Sequence, residues 1–224
     1  GAVLALLSNV LALISFLPVL ISIPRAFIRV PRQEIPDSIR EMLPTLLPVL
    51  FSTLILLSAA VTLEIISLYL WYRASDGLRK YDERKFGIGR IGAVIAFAGS
   101  LFTLISLIYF SITVLTHPPS LPSRVPLERL VGFFSRLIPG AVLFGVGALL
   151  GIIGLILYGV MIMRLSELSN LSPDFKYAGI FLIAGLILSL LGEFAVVGAL
   201  VEMASLIMIW VYSDSAAKTM SSIQ

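Results

Sequence analysis

Long apolar runs separated by short charged segments are the dominant pattern along the chain. Each run holds few or no charged residues and is at least as long as the ~20 residues that an α-helix needs to cross a bilayer. The runs are 1–23, 44–72, 91–116, 137–163 and 177–210. The pattern predicts an all-α fold, a polytopic transmembrane helix bundle that forms a single membrane domain over residues 1–224.

The last apolar run is too long for one span. As a single helix it would extend ~50 Å at ~1.5 Å per residue, whereas the hydrocarbon core of a bilayer is ~30 Å thick. A turn at Leu191, Gly192 and Glu193 would divide it into two short spans. The sequence therefore predicts six spans, and five is the alternative if the turn does not form.

Prolines and capping signals mark the segments between the spans. Pro18 predicts a kink in the first span and Pro24 its end. Ser38 and Glu41 have the spacing of a capping box, which favours a short helix before the second span. Apolar residues at helical spacing over 127–137 predict a short helix lying in the membrane interface, and a linker packed on the bundle is the alternative.

The opening of the chain recurs in its middle. Residues 1–15 read GAVLALLSNVLALIS and residues 92–106 read GAVIAFAGSLFTLIS, which places them 91 positions apart. The same shift relates Arg29-Val30-Pro31 to Arg124-Val125-Pro126 and Arg73 to Arg164. A fainter copy begins near Ala178. We interpret the chain as three parallel two-helix hairpins, with internal repeats at about 1–90, 91–176 and 177–224.

Composition and charge exclude several classes of protein. With 58% hydrophobic and 13% charged residues, the chain lacks the polar surface of a soluble domain. Its net charge of +3 is small and is scattered over short segments, which excludes nucleic acid as a partner. Segment 73–90 is expected to be a loop and is the most basic of them. The positive-inside rule therefore places that loop and both termini in the cytoplasm.

Two acidic residues lie well inside predicted spans and are the candidate polar or ion site: Glu64 and Glu202. A charged side chain at that depth costs ~2.5–3.5 kcal/mol on insertion scales, which favours the neutral, protonated form. Ser58, Thr62 and Ser67 flank Glu64 and are candidate hydrogen-bond partners. Two interpretations stay open at this point, a proton or cation relay and a structural polar contact inside the bundle.

Other candidate chemistry is sparse. The chain has no cysteine and one histidine, His117, so we predict no metal site and no cofactor. No nucleophile-elbow or metalloprotease spacing occurs, and we expect that the protein is not an enzyme. Gly147 and Gly151 have the small-xxx-small spacing that lets helix backbones approach closely. They are candidate packing residues, either within the chain or between two copies of it.

Two segments carry a family resemblance. WYRASDGLRKYDERKFGIGRIGA, from Trp71 onward, and ILYGVMIMRLSELSN, from Ile156 onward, resemble those of archaeal multi-pass membrane proteins grouped as domain of unknown function 973. The resemblance implies an archaeal plasma-membrane protein and brings no catalytic residues with it. Together with the scarcity of ligating side chains, it favours a non-catalytic scaffold or accessory subunit. The expected partners are membrane lipids and other subunits or a second copy. The alternative is a small proton- or ion-coupled transporter or channel that uses Glu64 and Glu202.

Overall fold

The computed structural model describes residues 1–28, 35–116, 127–168, 171–191 and 194–221, with side chains described over 1–15, 48–80, 82–116, 132–133, 135–168, 171–191 and 194–215. These residues form six helices, which confirms the predicted all-α bundle. The helices are α1 (Ala2–Ile28), α2 (Ile35–Tyr81), α3 (Glu83–Thr116), α4 (Leu127–Leu165), α5 (Phe175–Leu190) and α6 (Ala195–Ser221).

Four of the described helices contain a stretch that is long and apolar enough to cross a membrane. These stretches are Pro48–Lys80 in α2, Glu83–Thr116 in α3, Ser135–Leu165 in α4 and Ala195–Ser215 in α6. Two further apolar helical stretches are shorter, Ala2–Ser15 in α1 and Phe175–Leu190 in α5. The chain is therefore a membrane protein. The break between α5 and α6 falls where the sequence predicts a turn, although Gly192 and Glu193 lie outside the described residues.

The predicted loop over 73–90 is wrong, because helix occupies almost all of it. α2 ends at Tyr81 and α3 begins at Glu83. Leucine, arginine, lysine and glutamate all favour helix, so the charge that marks this segment as polar does not interrupt it. Asp82 separates the two helices and caps the second, because its Oδ1 accepts the backbone N–H of Lys85 at 3.1 Å.

Two other predicted helix boundaries are also wrong. The short helix expected at Ser38 is part of α2, and the separate interfacial helix over 127–137 is the beginning of α4. Helix α1 also continues past Pro24 to Ile28. Four further predictions lie outside the described residues: His117, the Arg29-Val30-Pro31 and Arg124-Val125-Pro126 segments, and Glu193.

A proline lies inside α4, next to a contact with the neighbouring helix α3. Pro139 has no backbone N–H and so removes one donor from the helical ladder. In the same turn the carbonyl of Arg136 accepts a hydrogen bond from the hydroxyl of Tyr109 on α3, at 2.7 Å. This contact joins α4 to α3 beside the proline.

The six helices pack as a closed ring. Each described helix contacts its neighbours in chain order, and α1 contacts α6, which closes the ring. The contacts α1–α2, α3–α4 and α5–α6 are those within the three predicted hairpins. The interior of the ring is therefore formed by one face of each hairpin.

The hairpins cross at corresponding positions. A Cβ on Gly99 would lie 2.5 Å from the backbone N of Gly151, so the backbones of α3 and α4 nearly touch there. Between α1 and α2, the Ser8 hydroxyl donates to the Ala60 carbonyl at 2.9 Å. Ser8 and Ala60 lie 91 positions before Gly99 and Gly151, which is the shift between the first two sequence copies.

Candidate functional site

Glu64 lies in the middle of the apolar part of α2. It is midway between the ends of the stretch Pro48–Lys80. Its half-buried side chain is beside the hydroxyl of Ser100 on α3. Two hydroxyl groups that were expected to bond Glu64 from its own helix bond the backbone instead. Ser58 and Thr62 donate to carbonyls one turn earlier, at 2.7 and 2.8 Å. In an apolar helix that carbonyl is the acceptor nearest to a hydroxyl.

Glu202 lies at the crossing of α5 and α6. A Cβ on Gly185 would lie 2.7 Å from both the Cγ and the backbone N of Glu202, so the glycine makes room for the acidic side chain. The hydroxyl of Ser189 on α5 donates to Oε1 of Glu202 at 3.0 Å. This residue is also half-buried. The crossing therefore fixes where the second carboxyl group points.

The two carboxyl groups line one internal cavity of about 40 Å³. Its polar lining consists of Ser8, Asn9, Glu64, Ser67 and Glu202, and alanine, leucine and tryptophan side chains complete it. Glu64 and Glu202 are close enough to interact electrostatically. A cavity of this volume accommodates roughly two or three water molecules, and its polar groups supply the hydrogen-bond partners that such water needs.

Aromatic and apolar side chains close the ring on one side of the cavity. We call this side the basic end, where α2 meets α3 and α4 meets α5. Its cations are Arg73, Arg79, Lys80, Arg84, Lys85, Arg90, Arg164 and Lys176. Trp71, which lines the cavity, stacks on Tyr158 with ring centroids 4.3 Å apart and planes 8° apart. Phe86 and Met161 are almost completely buried in the same cluster. Packed side chains therefore separate the cavity from the basic end.

The opposite half of the ring buries hydroxyl groups. Described examples are Ser15 on α1, Thr53 on α2, and Ser106 and Thr113 on α3. Each donates to a backbone carbonyl, and the Ser106 hydroxyl reaches Gly140 of α4 at 2.7 Å. Ser75 and Ser205 are buried hydroxyl groups on the basic-end side as well, so the two sides differ in their aromatic packing, which lies toward the basic end.

The arrangement suits a proton or a monovalent cation. Two nearby carboxylates away from bulk water are costly as a doubly charged pair, and a bound proton or cation removes part of that cost. Asn9 and the serine hydroxyls add oxygen atoms around the same space. Among the described residues no group of three or more histidine, cysteine, aspartate or glutamate side chains is placed to hold a metal ion.

The predicted packing glycines lie against α3 within the same chain. A Cβ on Gly147 would lie 2.6 Å from the Thr103 hydroxyl oxygen and 2.8 Å from the Gly99 carbonyl oxygen. Gly151 meets Gly99 through its backbone N. Of the two predicted packing glycines, Gly147 therefore sets the distance between α3 and α4, whereas a Cβ on Gly151 would meet nothing within 4 Å.

Sequence reasoning missed several residues of this site. Asn9 is the only amide side chain in the first apolar run, a signal that could have placed it beside the acids. Ser100 and Ser189 gave no such signal, because a serine in an apolar helix usually bonds its own backbone. The repeat shows that the second hairpin has no matching acid. The residue 91 positions after Glu64 is Leu155, which lines the same cavity.

Comparison with known proteins places the chain in one group. The family model described as "Protein of unknown function (DUF973)" matches residues 1–223. No curated protein and no solved structure matches the chain.

Proposed function

Since the chain belongs to the DUF973 family of proteins of unknown function, we propose a function from its interior geometry: it is a small membrane transporter or channel that binds a proton or a monovalent cation at Glu64 and Glu202. The family resemblance seen in the sequence is confirmed over nearly the whole chain. The observation that carries the proposal is that carboxyl groups from α2 and α6 line a single cavity inside the ring.

The position of the acids supports ion binding over simple packing. An ionisable side chain inside a membrane bundle is costly, and a purely structural contact there is made as well by serine or asparagine. Both acids instead lie within electrostatic range of each other, where each increases the cost of charging the other. A transported proton or cation is the group that relieves this cost.

The packing around the cavity supports a defined direction of access. The stacked rings of Trp71 and Tyr158 lie between the carboxyl pair and the basic end. We therefore place the access route of the proposed ion on the opposite side of the membrane. Transport requires the aromatic pair to separate, which makes it the inner gate of the proposed pathway.

The remaining parts of the proposal concern location and partners. The basic end faces the cytoplasm of an archaeal cell by the positive-inside rule, and both termini lie on that side of the plasma membrane. The protein is not an enzyme. A scaffold or accessory role, favoured by sequence alone, stays a prediction. Gly147 packs against α3 within the chain and so gives that prediction no self-association surface.

The test is ion flux in liposomes that contain the purified protein. A pH-sensitive dye inside the vesicles reports proton movement when a pH, Na⁺ or K⁺ gradient is applied. We expect flux above that of protein-free vesicles, and a reduction of at least tenfold in Glu64→Gln and in Glu202→Gln. Glutamine keeps the shape and hydrogen bonding of the side chain but cannot carry the charge.

The matched control is Glu167→Gln. Glu167 is exposed at the basic end, where it pairs with Lys85 at 2.9 Å. We expect its flux to equal that of the unmodified protein. Wild-type flux no greater than that of empty vesicles, or equal flux in all three variants, would contradict the proposal. Elution volume in size-exclusion chromatography checks that each variant is folded.

A further inference from the structure

An amphipathic groove runs along the outer surface of the ring where α2 meets α3. The part at the basic end has a volume of about 630 Å³. Its lining includes Arg79, Glu83 and Arg90 and the side chains of Ile88, Ile91 and Val94. Gly87 lies in its wall, where the absence of a side chain widens the space.

The groove continues toward the middle of the membrane. A second space of about 200 Å³ shares Val94 with the first and is lined by Tyr69, Tyr72, Ala93 and Phe97. From Glu83 to Phe97 the groove follows α3 for ~20 Å at ~1.5 Å per residue. Cations lie at one end and apolar side chains at the other, which is the polarity of a lipid molecule in the adjacent leaflet.

The two arginines at the basic end of the groove are held in place by neighbouring side chains, and each has further N–H groups that can bind a ligand. Arg90 donates to the Tyr72 hydroxyl at 2.8 Å, lies over the same ring at 5.2 Å, and pairs with Asp76 at 3.5 Å. Arg79 donates from Nε to Glu83 at 2.9 Å. A guanidinium has five N–H groups, so each arginine keeps further donors for a phosphate.

We propose that this groove binds one anionic phospholipid, with its phosphate between Arg79 and Arg90 and one chain along Ile91, Val94 and Phe97. Basic pockets between transmembrane helices on the cytoplasmic side are suited to anionic head groups. Glu83 competes with the phosphate for Arg79, so the site favours a single negative charge over several. The proposal is independent of the carboxyl pair in the interior.

The experiment is native mass spectrometry of the protein in detergent with added phosphatidylglycerol or phosphatidylcholine of the same chain length. We expect one phosphatidylglycerol to be retained in preference to phosphatidylcholine. The double variant Arg79→Gln/Arg90→Gln should lower that retention roughly tenfold or more, since each cation near the surface contributes appreciably to anionic lipid binding. Arg84→Gln is the matched control, because Arg84 is exposed at the same end and does not line the groove.

Two single variants separate the charge from the apolar groove. Glu83→Gln should increase phosphatidylglycerol retention, because it frees Arg79. Val94→Trp should lower it by filling the junction of the two spaces, and a half-exposed valine tolerates that change in the fold. Equal retention of the two lipids, an equal loss in Arg84→Gln, or unchanged retention in Val94→Trp would each overturn the proposal.

Discussion

At the scale of single residues, glycine decides how closely the hairpins pack. Gly99 to Ala should destabilise the protein by roughly 1–3 kcal/mol, because the new Cβ would lie 2.5 Å from the Gly151 backbone N and 2.6 Å from the Gly147 carbonyl oxygen. Gly145 to Ala is the control, since a Cβ there meets nothing within 4 Å. Alanine should stabilise that helical position by about 0.5–1 kcal/mol. Unfolding in sodium dodecyl sulfate measures both, and equal effects would contradict the close approach.

A second residue-scale prediction concerns the hydroxyl that holds Glu202. Ser189→Ala should weaken cation binding or flux several-fold, because it removes the 3.0 Å hydrogen bond that orients the carboxyl group. Ser189→Thr keeps a hydroxyl and should retain part of the function. Ser111→Ala is the control, since that hydroxyl donates to the carbonyl of Leu107 in its own helix. Flux in liposomes separates positioning from stability if the unfolding midpoints of the two alanine variants are similar.

The sequence predicts the acids of the site but not their surroundings. Glu64 and Glu202 can be identified from the sequence alone, because an acidic side chain in an apolar span is costly and therefore rare. Ser100 and Tyr158 lie on other helices than Glu64, Ser189 lies on another helix than Glu202, and their proximity depends on helix rotation. Serine occurs in membrane helices in any orientation, so nothing in the local sequence of Ser100 and Ser189 marks them.

At the scale of elements, one aspartate separates two long helices. Asp82→Ala should destabilise the protein by about 1 kcal/mol, because it removes the side-chain acceptor of the Lys85 N–H at the start of α3. Asp82→Asn keeps an acceptor and should cost much less. Thermal unfolding followed by circular dichroism measures the difference. Equal loss in both variants would mean that the charge rather than the cap is responsible.

Helix type is predictable from this sequence, whereas helix ends are not. The apolar runs correctly predict helices, and the length argument correctly divides 177–210 into two. The predicted helix ends are wrong because charged residues do not interrupt the helix at 73–90 and Pro24 does not end α1. Arginine, lysine and glutamate favour helix once it has begun, so α2 continues to Tyr81.

At the scale of the whole molecule, ring closure creates the site. The repeat in the sequence predicts hairpins, but it contains no information that α1 contacts α6. That contact brings Asn9 of the first hairpin to the same cavity as Glu202 of the last. Two acids more than 130 positions apart thus become neighbours through tertiary packing, which a pattern of local periodicity cannot show.

The asymmetry of the ring leads to a prediction about water access. On every described helix, the members of the main buried cluster line the cavity or lie toward the basic end from it, from Ala5 on α1 to Ile209 on α6. A water-soluble reagent should therefore reach the cavity from the opposite side of the membrane. The chain has no cysteine, so single cysteines can be introduced without a background.

Asn9→Cys in oriented vesicles should react with a charged, membrane-impermeant thiol reagent only when the reagent is added opposite the basic end. Lys80→Cys, exposed at the basic end, should react only from the other side and so reports orientation. Ile105→Cys, 52% exposed on the outer surface of α3, should react from neither side, because lipid excludes a charged reagent. Labelling of Asn9→Cys from the basic end alone would show that Trp71 and Tyr158 do not close the cavity. Because the reagent reports water rather than ions, this result is independent of which ion the carboxyl pair binds.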